Sequence, residues 1–320
     1  MAHKAIGLFS GGLDSILAVR LILEQGIEVL GLHFNTPFYL SRDIEKIVQE
    51  IGLPIRIISL GDEYIAMLKK PKYGYGKNLN PCIDCRILTF SKAKRIMEEE
   101  GAKFVFSGEV LGERPFSQTR WAMNLIEKES GLKGLLLRPL SAKLLPPTKP
   151  ELEGIVDREK LLAIKGRSRK PQMALAEKFG IKDYPTPGGG CLLTYKEFAK
   201  KVKDALNFGE DSLLDMELLR YGRHFRLKSG AKVIVGRDER ENGILLKKKG
   251  DGIIFQVKDF PGPIAILKNS RAGSDLEIAA RLCACYSDGR GEEEVRVIYD
   301  GKEMKVRPFS AAEAKSFLVT

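Results

Sequence analysis

A short glycine turn between an apolar run and an amphipathic segment restricts the fold of this chain more than any other feature. Residues 5–9 (AIGLF) read as a buried strand, Ser10-Gly11-Gly12-Leu13-Asp14-Ser15 as a tight turn, and residues 15–25 as a helix with Ile16, Leu17, Val19 and Leu23 available for burial. At a helix N-terminus the first N–H groups lack intrahelical acceptors and the dipole is positive, so an anion is favoured there, and glycines let the backbone approach it. That geometry suits a phosphate. The turn has neither the Gly-Lys-Ser/Thr ending of a Walker A loop nor a G-x-G-x-x-G pattern, which sets aside γ-phosphate transfer and a dinucleotide fold. The plain alternative is a turn joining a strand to a capped helix.

The alternation continues. Gly26 ends the helix, residues 28–34 (EVLGLHF) read as a second strand, 43–51 as a helix and 54–60 (PIRIISL) as a third strand. A helix over 86–100, closed by Gly101, a fourth strand at 103–107 (KFVFS) and a helix around 118–128 follow. Strands alternating with helices imply a doubly wound parallel α/β sheet with helices on both faces.

A chain of 320 residues has room for two domains. The Pro- and Lys-rich stretch 144–150 (LLPPTKP) passes for a linker, but helical segments come after it, so the boundary is placed later, giving domains 1–208 and 209–320. From His224 onward the texture changes to short runs at 231–235 (AKVIV), 243–246 (GILL), 253–257 (IIFQV) and 263–267 (PIAIL), with one helix expected at 274–285. This reads as a smaller β-rich α+β module. Its segment 220–249 holds Arg223, Arg226, Lys228, Lys232, Arg237, Lys247, Lys248 and Lys249, with Tyr221 and Phe225 available to stack, as a nucleic-acid surface requires. The formal net charge of +11 points the same way, towards a polyanionic partner, against the plain reading of a solvated basic face.

Met1-Ala2-His3-Lys4 leads directly into the first strand without a signal-peptide layout, and no apolar stretch approaches the roughly 18 residues of a membrane span. A cytoplasmic protein with no membrane association is therefore expected. Five cysteines, an odd number, argue against a disulfide framework and for metal binding or catalysis. Cys82 and Cys85 in Asn80-Pro81-Cys82-Ile83-Asp84-Cys85 lie one turn apart at a helix start, where the dipole favours thiolates. Cys191 follows a glycine run, 188–190, and glycines allow close approach to a bulky group. Two chemistries stay open for these three thiols: persulfide transfer by a cysteine pair, or a three-cysteine iron–sulfur cluster with one open position. Zinc would want a fourth ligand, and none of His3, His33 and His224 is obviously placed for it. Cys283 and Cys285, beside Ile278, Ala279 and Leu282, read as core thiols.

The SGGLDS turn matches the SGGxDS signature of PP-loop ATP pyrophosphatases. With NPCIDC, Ser107-Gly108-Glu109-Val110-Leu111-Gly112-Glu113, Ser117-Gln118-Thr119 and Leu137-Arg138-Pro139-Leu140, the chain over about residues 1–200 resembles PP-loop tRNA sulfurtransferases, particularly tRNA 4-thiouridine synthetase and tRNA 2-thiouridylase. The resemblance implies ATP held by Ser10, Gly11, Gly12, Asp14 and Ser15, with Asp14 helping to hold Mg²⁺, the adenine packed near Phe34, and Gly108 just past the fourth strand. It implies adenylation of a tRNA uridine carbonyl with release of AMP and pyrophosphate, then replacement of oxygen by sulfur through a 4Fe-4S cluster on Cys82, Cys85 and Cys191. The sulfur donor would be free sulfide or a persulfide carrier. Beside the synthetase, with the first strand read almost at Met1, neither its N-terminal RNA-binding extension nor its rhodanese tail is expected here. Arg220-Tyr221-Gly222-Arg223-His224-Phe225-Arg226, Val235-Gly236-Arg237-Asp238 and Glu241-Asn242 resemble the RNA-binding domain of NFACT proteins, implying RNA contacts by Arg223, Arg226, Lys232 and Arg237. The rivals are a PP-loop ligase or amidase acting on a small molecule, and a non-catalytic, ATP-responsive RNA-binding factor.

Overall fold

The computed structural model describes residues 3–39, 44–184, 190–270 and 272–319. Asp43, where the second helix was expected to begin, and Pro187, Gly188 and Gly189 of the glycine run lie outside the described residues. The chain divides into two compact units, Met1–Leu192 and Leu193–Thr320.

In the first unit β1 (Lys4–Leu8), α1 (Leu13–Leu23), β2 (Glu28–Asn35), α2 (Ile44–Ile51), β3 (Ile55–Ser59), α3 (Asp62–Lys69), α4 (Cys82–Glu99), β4 (Phe104–Ser107), α5 (Arg120–Glu129), β5 (Leu136–Leu137), α6 (Lys149–Leu152) and α7 (Lys170–Lys178) succeed one another. Among the described residues five strands form one parallel sheet in the order β3-β2-β1-β4-β5. The doubly wound reading holds, and its physical basis is visible in β1 and β4. Ala5, Ile6, Phe104, Val105 and Phe106 are fully buried, as strands covered by helices on both faces must be. The strand order reverses between β1 and β4, so the crevice beyond their carboxyl ends is where such a sheet takes a ligand.

The second unit runs through α8 (Lys196–Asn207), α9 (Leu213–Leu218), β6 (Arg223–Arg226), β7 (Lys232–Val235), α10 (Glu239–Lys247), β8 (Ile253–Val257), β9 (Ala265–Lys268), α11 (Ser274–Cys285), β10 (Val295–Tyr299), β11 (Lys302–Val306) and α12 (Ala311–Lys315). Among the described residues its sheet has six antiparallel strands in the order β11-β10-β8-β9-β7-β6. One apolar face of that sheet packs on α11, whose Cys283 is fully buried and Cys285 nearly so, as expected of core thiols.

Two sequence expectations need revision. Residues 243–246 are not a strand but the second half of α10, because Asp238 caps that helix, its side chain accepting from Glu241 N at 2.8 Å, and Leu245 packs beneath. The boundary expected at 208/209 falls instead before α8. That helix is tied to the β6 region of the second unit, since Asp204 accepts from Arg226 at 2.6 Å and Lys201 donates to the carbonyl of Gly222 at 3.3 Å.

Candidate active site

Between β1 and α1 the chain makes the glycine turn read from the sequence. Gly11 has φ +69, the left-handed region that glycine occupies without a Cβ clash. Gly12 is the N-cap of α1 and no side chain caps it, while Ser15 N and Ile16 N both donate to Gly12 O at 3.0 and 3.1 Å. Ser15 closes the turn, its hydroxyl donating to Gly12 O at 2.8 Å, and Ser10 Oγ lies 3.3 Å from Ser15 Oγ. Gly108, at the end of β4, presses against the turn: a Cβ there would lie 2.5 Å from the Asp14 carbonyl. Only glycine lets the end of β4 approach the first turn of α1 so closely at the switch point. Phe34 is buried in β2, and His33 Nδ1 lies 3.0 Å from Phe9 O.

Asp14 Oδ1 is buried and has no hydrogen-bond partner among the described residues. Burial raises the Asp14 carboxyl above its ordinary range, opposed by the charge of Arg169, the nearby amide of Gln172 and the charge of Arg114. Gln172 itself, fully buried on the first turn of α7, approaches Asp14 without a hydrogen bond of normal geometry; both of its amide atoms are unpartnered among the described residues. An orphaned carboxylate oxygen at a phosphate turn fits a divalent cation arriving with the nucleotide. Arg114, Arg169 and Gln172 escaped the sequence reading; Glu113 stood within a quoted motif but received no role.

A second group of reactive side chains gathers at the start of α4. Asp84 accepts from the backbone N–H groups of Lys72 (2.7 Å) and Tyr73 (3.1 Å), holding the preceding loop over the helix end. Cys82 Sγ donates to Asn80 Oδ1 at 2.9 Å. Cys85 Sγ sits 3.3 Å from the Tyr39 hydroxyl, and Tyr39 pairs as an antiparallel bridge with Cys191. Tyr39 thereby links the segment of Cys191 with that of Cys85 across more than a hundred residues. Burial raises the hydroxyls of Tyr39 and Tyr64 well above the ordinary tyrosine range, with the charge of Cys85 and then that of Cys191 adding to the shift. The Cys82 thiol is pushed up to about 11 by burial and by Cys85, against Arg86 and Arg114. Arg86, 37% exposed, faces Glu109 at 3.3 Å; Glu109 accepts from buried Arg138 at 3.1 Å, and Arg138 also pairs with Glu127. This ladder of alternating charge fixes one guanidinium beside the thiols. Neither tyrosine nor Arg86 was singled out in the sequence, where only their distance in space from the cysteines could have marked them. Among the described residues no three His, Cys, Asp or Glu side chains converge as ligands of a single metal ion.

In the second unit the four basic residues nominated for RNA are differently placed. Lys232 is 3% exposed and bonded to Glu210 at 2.7 Å. Arg226 bonds Asp204, Glu210 and the carbonyl of Gly230, and lies over the ring of Phe208. Arg223 lies over Tyr286, and exposed Arg237 pairs with Glu241. Lys228, Lys247 and Lys249 are exposed.

The fold and the turn define a parallel α/β protein with a glycine turn at the strand-order switch, a place that suits an anion. More particularly, residues 1–143 match the family model described as thiamine biosynthesis protein (ThiI), and residues 222–318 match that of the NFACT protein RNA binding domain. The chain is 27% identical over 165 residues to a probable tRNA sulfurtransferase of Methanothermobacter thermautotrophicus, covering 48% of this chain and 40% of that one. To the probable tRNA sulfurtransferase of Thermococcus kodakarensis it is 32% identical over 143 residues, covering 43% and 36%. To the tRNA-specific 2-thiouridylase MnmA of Petrotoga mobilis it is 34% identical over 130 residues, covering 34% and 35%. The chain therefore spans well under half the length of these relatives. A solved 4-thiouridine synthetase–RNA complex with bound ATP is similar at a TM-score of 0.36 and 22% identity, covering 56% of this chain and 52% of that one, a likeness too slight to carry argument. Among the described residues no helix is long and apolar enough to cross a membrane.

Proposed function

We propose that this protein is an ATP-dependent tRNA sulfurtransferase, releasing AMP and pyrophosphate. The observation that carries the reading is one unit holding both an uncapped glycine turn with an orphaned Asp14 oxygen and, elsewhere in it, Cys82 and Cys85 at the start of α4 with Tyr39 joining Cys85 to the segment of Cys191.

In this reading the N–H groups of the turn hold the β- and γ-phosphates of ATP as the pyrophosphate to be, and Asp14 holds the accompanying Mg²⁺. A uridine carbonyl oxygen attacks the α-phosphorus; the new P–O bond forms as pyrophosphate leaves. A sulfur nucleophile then adds to the same carbon, and the C–O bond breaks with AMP as leaving group. Cys82, Cys85 and Cys191 handle the sulfur. Three thiols leave a tetrahedral zinc one ligand short but suit a 4Fe-4S cluster, which, when bound, supplies an iron without a protein ligand for sulfide. Arg86, held by Glu109, keeps positive charge beside Cys82, whose thiol burial otherwise pushes up. Within the second unit, RNA contact falls to Arg223, Arg237 and the exposed lysines Lys228, Lys247 and Lys249, while Arg226 and Lys232 hold the fold.

The test is anaerobic incubation with tRNA, ATP, Mg²⁺ and sulfide, reading nucleotide products and thiolated nucleosides, beside iron and acid-labile sulfide analysis of wild type and of Cys82→Ala, Cys85→Ala and Cys191→Ala. AMP, pyrophosphate and thiouridine are expected from wild type only, with cluster iron lost in each variant. ADP as the product would overturn the adenylation scheme, and turnover surviving loss of all three thiols would favour a small-molecule ligase.

A further inference from the structure

Gln172 is the feature the proposed reaction leaves unused. A buried primary amide with no hydrogen bond is costly, and among native structures it marks a place where a partner is missing. Its position is firmly set. Leu111 and Lys165 pair as a parallel bridge, Gly166 N donates to Leu111 O at 2.7 Å, and Pro171 opens α7, which then packs Ala176 against Leu13, Leu17 and Leu21 of α1. These contacts aim the first turn of α7, with Arg169 and Gln172, at Asp14.

The turn after β4 adds to the same spot. Gly112, at φ +78, donates to Gln118 O at 2.7 Å, and Arg114 N to Gln118 Oε1 at 2.9 Å, so Glu113 and Arg114 are held on a fixed corner. Glu113 is 12% exposed; its nearest cation, Arg114, stands 3.9 Å away and is 54% exposed. Burial raises the Glu113 carboxyl and the charge of Asp14 raises it further, so the two carboxylates lie within electrostatic reach of one another. Two carboxylates and an amide oxygen are hard donors, whereas Arg114 and Arg169 beside them suit phosphate oxygens.

We propose that Glu113 and Gln172 complete, with Asp14, a divalent-cation site that fills only together with a nucleotide's phosphate chain, and that Arg114 and Arg169 grip that chain. Two carboxylates fall short of a protein cage, and among the described residues no three ionisable ligands converge. Mg²⁺ is commonly held in this way, by one or two carboxylates plus substrate phosphates and water. The cation therefore binds with the nucleotide and not before it. The inference rests on the turn being the ATP site.

The experiment is calorimetric and EPR titration of the full chain with Mn²⁺ alone, ATP alone, and both. For wild type, Mn²⁺ alone should not bind, and ATP should bind about tenfold or more tightly with Mn²⁺ than without. Gln172→Met and Glu113→Gln should each keep metal-free ATP binding and lose that strengthening. Gln172→Met should also unfold at a higher temperature than wild type without ligand, since it removes an unpartnered amide. Retention of the wild-type Mn²⁺ dependence in both variants overturns the proposal, as does Mn²⁺ binding to the nucleotide-free protein. If Gln172→Met fails to fold, Glu113→Gln decides. No ATP binding by wild type under any condition would instead sink the reading of the turn.

Discussion

Around the phosphate turn Asp14 Oδ1 and both amide atoms of Gln172 are buried without partners, whereas in the second unit Glu210 alone receives bonds from Arg226, Lys232 and Asn269. The sequence marked both regions as functional, the first by its glycine turn and the second by its basic charge. The partners distinguish them: a group already satisfied by its own fold has little left for a ligand, and a buried group left unsatisfied is stable only if something else completes it. By that measure the crevice of the first unit is built to receive, and the ion cluster of the second is built to hold. His224 Nδ1, buried and unpartnered in the second unit, is the exception there.

The largest effect should come from breaking the satisfied cluster. Burial pushes the Glu210 carboxyl up, yet its bond from Arg226 and the charge of Lys232 hold it below the usual range. Glu210→Gln leaves Lys232 buried without its anion and should cost about 3–5 kcal/mol of stability, measured by urea unfolding. Because the folded pKa is depressed, the wild-type contribution is present above the unfolded value and lost as pH falls through the folded one. The variant should therefore be flatter in acid. A loss below about 1 kcal/mol would show that the cluster is not what holds this sheet edge.

Asp14→Asn tests the opposite region and should separate stability from function. Pyrophosphate release at saturating ATP should fall about a hundredfold or more, about 2.7 kcal/mol of barrier. The ligand-free protein should become no less stable, because a raised carboxyl pKa means that ionised Asp14 costs the fold stability at neutral pH. Equal loss of activity and stability would erase the contrast between the regions.

How far these regions were legible in the sequence tracks the same division. The strand–turn–helix opening, β8 and α11 could be read nearly to the residue, because apolar runs, glycine stops and helical spacing are local signals. Helix α10 was missed because its apolar GILL run looks like a strand until Asp238 is seen to cap it. Tyr39, Arg86 and Gln172 were invisible, since what distinguishes them is packing against elements distant in the chain. Arg226 and Lys232 were read as open charge because their carboxylates, Asp204 and Glu210, lie 16 to 22 positions upstream.

The smallest effect probes how completely the second unit satisfies its charges. Lys201 Nζ reaches the carbonyls of Leu219 (3.5 Å) and Gly222 (3.3 Å), acceptors that do not neutralise it. Burial, then the charges of Arg237 and Lys232, push its ammonium down to about 8, with Glu241 opposing. The unfolded value is about 10.4, so between about pH 8 and 10.4 the unfolded chain keeps a proton that the folded chain has released. Stability from this group must therefore rise with pH across that window and be flat below it, where both states are charged. The difference in unfolding free energy between wild type and Lys201→Met isolates the group, and it should climb by less than about 1.4 kcal/mol per pH unit. At pH 7 the methionine variant should be the more stable of the two, if its chain packs as the lysine stem does. Parallel pH curves would mean that Lys201 keeps its proton, and that the second unit satisfies even this cation.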